Sequence, residues 1–232
     1  MGQLVTFQCP ECCSYWVLEG ETLAPITVYR ARAEESDDAS KPAADRRIYL
    51  PFWVAEVDAA ELAAKIAGAV DDLRSAAQAV IRAGYEGESA RKLPASSEIE
   101  HLEGRLRSLG TLRIYVPAFK SLNTYAYLKV GRLLTRIQPS FEVDRSDGAG
   151  HAILCALKAG EAAAIMDFIF IATLPESIQA SGDFLEKIRL VPARPPRLVE
   201  FPFRERGASL VSVIGGFWIS GRLVEGVESL VE

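Results

Sequence analysis

The chain is expected to adopt an α+β fold: repeated strand-helix units around a mostly antiparallel sheet, preceded by a small ribbon-like hairpin. Three observations predict this. A cysteine-bearing hairpin pattern opens the sequence, a seven-residue strand motif recurs, and segments of helical period separate its copies. With 232 residues, 49% of them hydrophobic and 25% charged, the chain can bury one large core or two smaller ones.

The elements follow in order. Residues 4–8 alternate as a short strand, Cys9-Pro10-Glu11-Cys12 forms a turn, and 14–18 returns with Tyr15 and Trp16 before a turn at Glu19-Gly20-Glu21. Residues 26–31 have strand character, whereas 33–46 is polar and poor in apolar anchors, the composition of a solvated linker. A strand over 47–57 is rich in β-branched and aromatic residues. From Asp58 to Ala83, Leu62, Ile66, Val70, Leu73, Ala77 and Val80 recur every three or four residues, which predicts an amphipathic helix capped by Asp58. Glycines and Pro94 interrupt 84–97, and a second helix is expected over 98–109.

Further on, the pattern predicts a strand over 112–119, a helix or strongly twisted segment over 122–137, an acidic loop over 141–150, and a short apolar run from His151 to Leu157. A buried helix is expected over 159–174, and strands over 184–191, 197–203, 209–214 and 216–219. The expected organisation is a degenerate zinc-ribbon-like hairpin over 1–32, the linker, and an α+β body over 47–232 with a possible sub-boundary near 84–111.

The recurring motif is Arg47-Ile-Tyr-Leu-Pro-Phe-Trp53 and Arg113-Ile-Tyr-Val-Pro-Ala-Phe119, with a weaker copy, Leu198-Val-Glu-Phe-Pro-Phe-Arg204, aligned on its proline. It predicts a duplicated or triplicated strand unit. Because proline donates nothing to a ladder, each copy should meet a sheet edge, a bulge or a strand end. The aromatics Tyr49, Trp53, Tyr115 and Phe119 have two readings, packing in a core or lining a groove for a peptide or lipid chain.

These features resemble a group of bacterial proteins, without established chemistry, that carry an N-terminal zinc ribbon ahead of repeated YLPFW or YVPAF segments. The likeness rests on Phe7-Gln-Cys9-Pro-Glu-Cys12, on the two strand motifs, on 127–136 with Gln138-Pro139, on 160–165 and on 197–203. It implies zinc on Cys9 and Cys12. This chain departs from the pattern in that Cys13 replaces the ribbon's first glycine and no second Cys-x-x-Cys pair follows.

Zinc takes four tetrahedral N or S ligands, of which Cys9 and Cys12 supply two. The remaining candidates are Cys13, His151 and Cys155, the last two sharing a face if their segment is a strand. The alternatives for Cys9-Pro-Glu-Cys12 are a degenerate, metal-free turn and dithiol redox chemistry, the latter calling for a helix directly after the motif. Lys129, Arg132 and Arg136 fall on one helical face near Lys120, Tyr125 and Tyr127, a place for a phosphate or an acidic partner.

No GxSxG, Walker A, GxGxxG or HExxH motif is present, and the two histidines, His101 and His151, lie in dissimilar surroundings. The expectation is a non-enzymatic binding or scaffold protein that works through a protein partner or self-association; the alternatives are a zinc-dependent adaptor and a thiol oxidoreductase. A net charge of −5 gives no general attraction to phosphates, so no nucleic acid is expected and any such binding has to be local. With neither a secretory leader pattern nor a transmembrane stretch, the expected location is cytoplasmic, peripheral membrane contact remaining open.

Overall fold

The computed structural model describes residues 6–9, 11–19, 21–32, 47–82, 96–121, 123–148, 151–179 and 188–224. The fold is α+β with two sheets. The smaller consists of β1 (Thr6–Gln8), β2 (Tyr15–Glu19) and β3 (Thr22–Ile26), antiparallel in that order. The larger holds β4 (Val28–Arg32), β5 (Arg47–Asp58), β6 (Thr111–Pro117), β7 (Glu142–Arg145), β8 (His151–Ala152), β9 (Arg197–Arg206), β10 (Ser209–Ser212) and β11 (Trp218–Ser220).

At its centre β5 runs antiparallel to β9, pairing 47–54 with 197–204. The far side of β5 is shared by β8 and β6, and the far side of β9 by β4 and β10; β7 lies beyond β4, and β11 beyond β10. Among the described residues, the β4–β9 and β5–β8 pairs alone are parallel. β4 is therefore a strand of the body sheet, although it precedes the linker.

The motif prolines sit where the ladder asks for no donor. Pro51 falls between the stretch of β5 paired to β8 and the stretch paired to β6, and its carbonyl accepts the Ala118 N–H at 2.9 Å. Pro202 occupies the matching gap on β9, between the β4 and β10 pairings, and accepts the Val213 N–H at 3.0 Å. Pro117 ends β6. A residue without an N–H suits all three places.

Period-two alternation gives the sheet two apolar faces. On one, Trp53, Ala55, Val57, Ile114 and Val116 pack against α1 (Ala59–Arg82), α2 (Ser96–Leu109) and α4 (Ala159–Ile171) through Leu62, Ile66, Ile99, Leu106, Met166 and Phe170. Asp58 Oδ1 caps α1, accepting the N–H groups of Ala60 and Glu61 at 2.9 Å each. On the other face Phe52, Tyr115, Phe201 and Phe203 meet Val130 and Leu134 of α3 (Thr124–Ile137), together with Leu210, Phe217 and Ile219. A short α5 (Glu176–Gln179) follows α4.

Among the described residues strand β6 pairs with β5 alone, and its other side is met by α3 and Gln138. The Gln138 side-chain amide imitates a strand: its Oε1 accepts the Arg113 N–H at 2.9 Å and its Nε2 donates to the Arg113 carbonyl at 2.6 Å. Thr135 Oγ1 accepts the Tyr115 N–H at 3.1 Å, and the Tyr127 hydroxyl donates to the Pro117 carbonyl. Gly131 makes the approach feasible, since a Cβ there would lie 2.6 Å from the Tyr115 carbonyl oxygen and 2.8 Å from Ile169 Cδ1. Open edges invite pairing with other chains, and this one is filled by side chains.

Three sequence expectations are corrected. The acidic loop over 141–150 contains β7, a polar strand at the sheet margin whose Val143 reaches the core while Glu142 and Asp144 stay in solvent. Residues 188–191 are not a strand, and the rest of that expected strand, 184–187, lies outside the described residues. Only His151 and Ala152 of the 151–157 run pair as a strand, so the same-face argument for His151 and Cys155 does not hold.

Candidate functional site: a thiol turn and the sheet that carries it

The turn between β1 and β2 is closed by two backbone bonds, Cys13 N–H to the Cys9 carbonyl and Cys9 N–H to the Ser14 carbonyl, both 2.9 Å. Cys13 takes φ of 56°, the left-handed conformation for which glycine is usual. Its β-carbon lies over Gly148, where an added Cβ would come within 2.6 Å of it. Cys12 is exposed, with its sulfur 3.3 Å from Ser14 Oγ. Hydrogen bonding from the Ser14 hydroxyl, then from the Ser14 backbone and Cys9, lowers the Cys12 thiol from 9.0 to about 7. Near neutral pH a large share of Cys12 is thus thiolate, the form that ligates metals and attacks electrophiles.

The inner face of the small sheet is anchored to the body. Thr6 Oγ1 accepts the Cys155 N–H at 2.8 Å, and Gln8 Nε2 donates to the Gly148 carbonyl at 2.8 Å. Deeper in, the Tyr15 hydroxyl donates to Glu200 Oε1 at 2.7 Å. Glu200 is buried, and its Oε2 accepts from Arg30 Nε at 3.2 Å, Arg30 Nη2 at 3.0 Å and Ser146 Oγ at 2.9 Å. Arg30 also donates to Asp147 Oδ1 at 2.8 Å and lies 4.0 Å from the centre of the Tyr49 ring. A buried carboxylate is tolerated when paired and fully hydrogen-bonded, as this one is. Burial, reinforced by the bond to Glu200, pushes the Tyr15 phenol well above its usual value.

The outer face of the same sheet is apolar and open. Phe7, Trp16 and Pro25 lie in one cross-strand row, with Leu18 opposite Leu23 beside it. Phe7 is 43% exposed and Leu23 56%, an arrangement that leaves large apolar groups in water next to the cysteines. The sequence reasoning missed this surface. Its signal was present in Tyr15-Trp-Val-Leu18, four apolar residues without polar alternation, which mark a strand covered on both faces.

The other predicted ligands do not join the turn. Cys155 is buried, its Sγ 3.1 Å from the Leu157 carbonyl, and burial raises its thiol to about 11. His151 is half-buried on β8 opposite Ile48. Among the described residues no group of three or more His, Cys, Asp or Glu side chains is placed to hold a metal ion.

Of the motif aromatics, Trp53, Tyr115 and Phe119 are buried and Tyr49 lies beneath Arg30, so they serve packing. Trp53 Nε1 donates to the Leu157 carbonyl at 2.8 Å. Lys129, Arg132 and Arg136 are exposed on the outer side of α3, as their spacing predicts. No helix among the described residues is long and apolar enough to cross a membrane. No protein-family model, curated protein or solved structure matches this chain.

Proposed function

We propose that this is a non-enzymatic binding protein that self-associates through the outer face of its N-terminal sheet, Cys9 and Cys12 of each copy supplying two of the four thiolates of a shared zinc ion. The observation that carries the reading is the juxtaposition of an acidified, exposed Cys12 with the open apolar row Phe7, Trp16 and Pro25. Two thiols are half of a tetrahedral set, and a two-fold axis beside the turn would bring the other half from an identical surface. The donors fit zinc chemically, because hydrogen bonding at the turn lowers one of them toward the thiolate form that ligates metal.

The test is sedimentation of protein purified without chelator, before and after metal removal. The proposal expects a dimer holding about half a zinc per chain, dissociating with chelator. Leu23→Asp should give monomers with an unchanged far-UV spectrum, and Cys9→Ser should abolish both zinc and dimer. A metal-free monomer unaffected by either substitution would defeat the proposal.

A second reading, a redox-active dithiol, is favoured by the lowered Cys12 thiol alone. β2 follows the motif where an oxidoreductase helix is expected, and this favours the metal reading.

A further inference from the structure

Helix α3 carries its charges on the side that faces away from the sheet. Lys129, Arg132 and Arg136 follow one another at spacings of three and four residues, so they share one stripe roughly 10 Å long, and all three are exposed. Exposed Arg105 of α2 joins the end of the stripe, its guanidinium donating to the Arg136 carbonyl. α3 itself contains no Asp or Glu. Beside the stripe, one turn apart, lie half-buried Leu133 and Ile137, the latter 41% exposed.

Cations elsewhere on the helices are answered from within. Lys65 pairs with Glu61, Arg74 with Asp71 and Arg107 with Glu103, each three or four residues back. Among the described residues no carboxylate stands within ion-pair distance of Lys129, Arg132 or Arg136. Like charges at these spacings repel one another and weaken the helix that bears them. The C-terminal end of α3 accounts for Arg136 and Arg105, whose charge meets the helix dipole and the last carbonyls. It does not account for Lys129 and Arg132 in the middle turns. In a chain of net charge −5, the stripe is a local inversion of sign.

We infer that this face of α3 docks an acidic amphipathic helix of a partner protein, its carboxylates set at three- and four-residue spacing against the stripe and an apolar side chain against Ile137. Charge complementarity selects the occupant. Three of the four cations are arginines, whose planar forks hold carboxylates through two parallel bonds. A lone phosphate finds no concavity on the outer surface of a helix, and a phosphodiester chain has no use for Leu133 and Ile137. Helices that lie in an anionic bilayer insert an apolar face, whereas Val130 and Leu134 of α3 are already buried against the sheet. The surface involves no residue of the N-terminal sheet, so it stands apart from the self-association proposed above.

The test is a heteronuclear NMR titration of the full, isotope-labelled chain with a synthetic helical peptide of about 18 residues, which bears a stripe of glutamates beside a stripe of leucines. A second peptide carries glutamine in place of every glutamate. Shifts should gather on residues 129–137 and on Arg105, and affinity for the glutamate peptide should fall several-fold between about 20 and 200 mM salt as screening shortens. Arg132→Glu, at an exposed position, should weaken binding about 10-fold and leave the far-UV spectrum unchanged. Lys129→Glu should act in the same direction. The inference is overturned if the α3 resonances do not move, if the glutamine peptide binds as tightly, if Arg132→Glu keeps the affinity of the natural chain, or if polyphosphate or anionic vesicles bind α3 more tightly than the peptide does.

Discussion

The chemistry of this molecule is concentrated in a few residues whose neighbours decide what they do. Cys12 and Cys155 share a side chain and differ in environment: the Ser14 hydroxyl draws one thiol down to about 7, while burial drives the other up to about 11. In the native protein, alkylation attributable to Cys12 should therefore rise with a midpoint near pH 7, and Cys155 should stay unmodified until the chain unfolds. Peptide mass mapping after timed iodoacetamide treatment checks this, and equal labelling of the two would contradict it. Glu200 is the other decisive residue. Removing its charge in Glu200→Gln deletes the buried carboxylate that pairs with Arg30, leaving the guanidinium to Asp147 and the Ser146 hydroxyl, and should cost about 3 kcal/mol in a urea titration. Tyr15→Phe should cost about 1.5–3 kcal/mol, because it deletes a bond to a buried carboxylate. Nothing in the sequence announces this network, since Arg30 and Glu200 lie 170 positions apart and meet only through strand pairing.

Among the elements, α3 shows how a sheet edge is closed without another strand. The amide of Gln138 occupies both hydrogen-bonding groups of Arg113, and Gln138 holds φ of 51° to do so. That conformation is unfavourable for a residue with a side chain and persists where its surroundings compensate. Gln138→Ala should destabilise the protein by about 2 kcal/mol, the cost of two backbone groups left without partners. Gly131→Ala forces α3 away from β6 and should lower the melting temperature more than the same change at exposed Gly104, where an added Cβ meets nothing within 4 Å. Equal effects at the two glycines would show that the contact is not tight in solution.

Helices α1, α2 and α4 were legible from their period, whereas α3 was left open between a helix and a twisted segment and the short α5 was not expected. α1, expected over 58–83, spans Ala59–Arg82, and the strand expected over 47–57 spans Arg47–Asp58. What escaped was β7, because a margin strand needs few apolar residues, and the role of Gln138, because side-chain mimicry of a strand has no period.

For the whole molecule, two apolar layers and a docked N-terminal sheet set how stability responds to pH. Burial raises the phenols of Tyr15, Tyr115 and Tyr127 above their usual value near 10. Above pH 10 the unfolded chain loses these protons while the folded one keeps them, so stability falls as pH rises, with a slope approaching three protons per molecule. Tyr115→Phe should reduce that alkaline slope by about one proton. Sequence reasoning put each motif proline at a sheet edge, a bulge or a strand end; Pro117 does end β6, but Pro51 and Pro202 lie inside the central strands β5 and β9, where a change of partner on the outer side leaves a gap in the ladder. Whether their aromatics faced a core or a groove depended on the strand order β6-β5-β9, which a single sequence does not encode locally. The open apolar row beside the cysteines belongs to the small sheet, and the proposed self-association rests on it.

That account is tested most directly by native mass spectrometry of the untagged protein, which reads subunit number and bound metal in one particle. A dimer carrying a single zinc ion, converted to a metal-free monomer by Cys12→Ser, is the predicted result. A monomer retaining one zinc, or a dimer indifferent to the loss of Cys12, would contradict it.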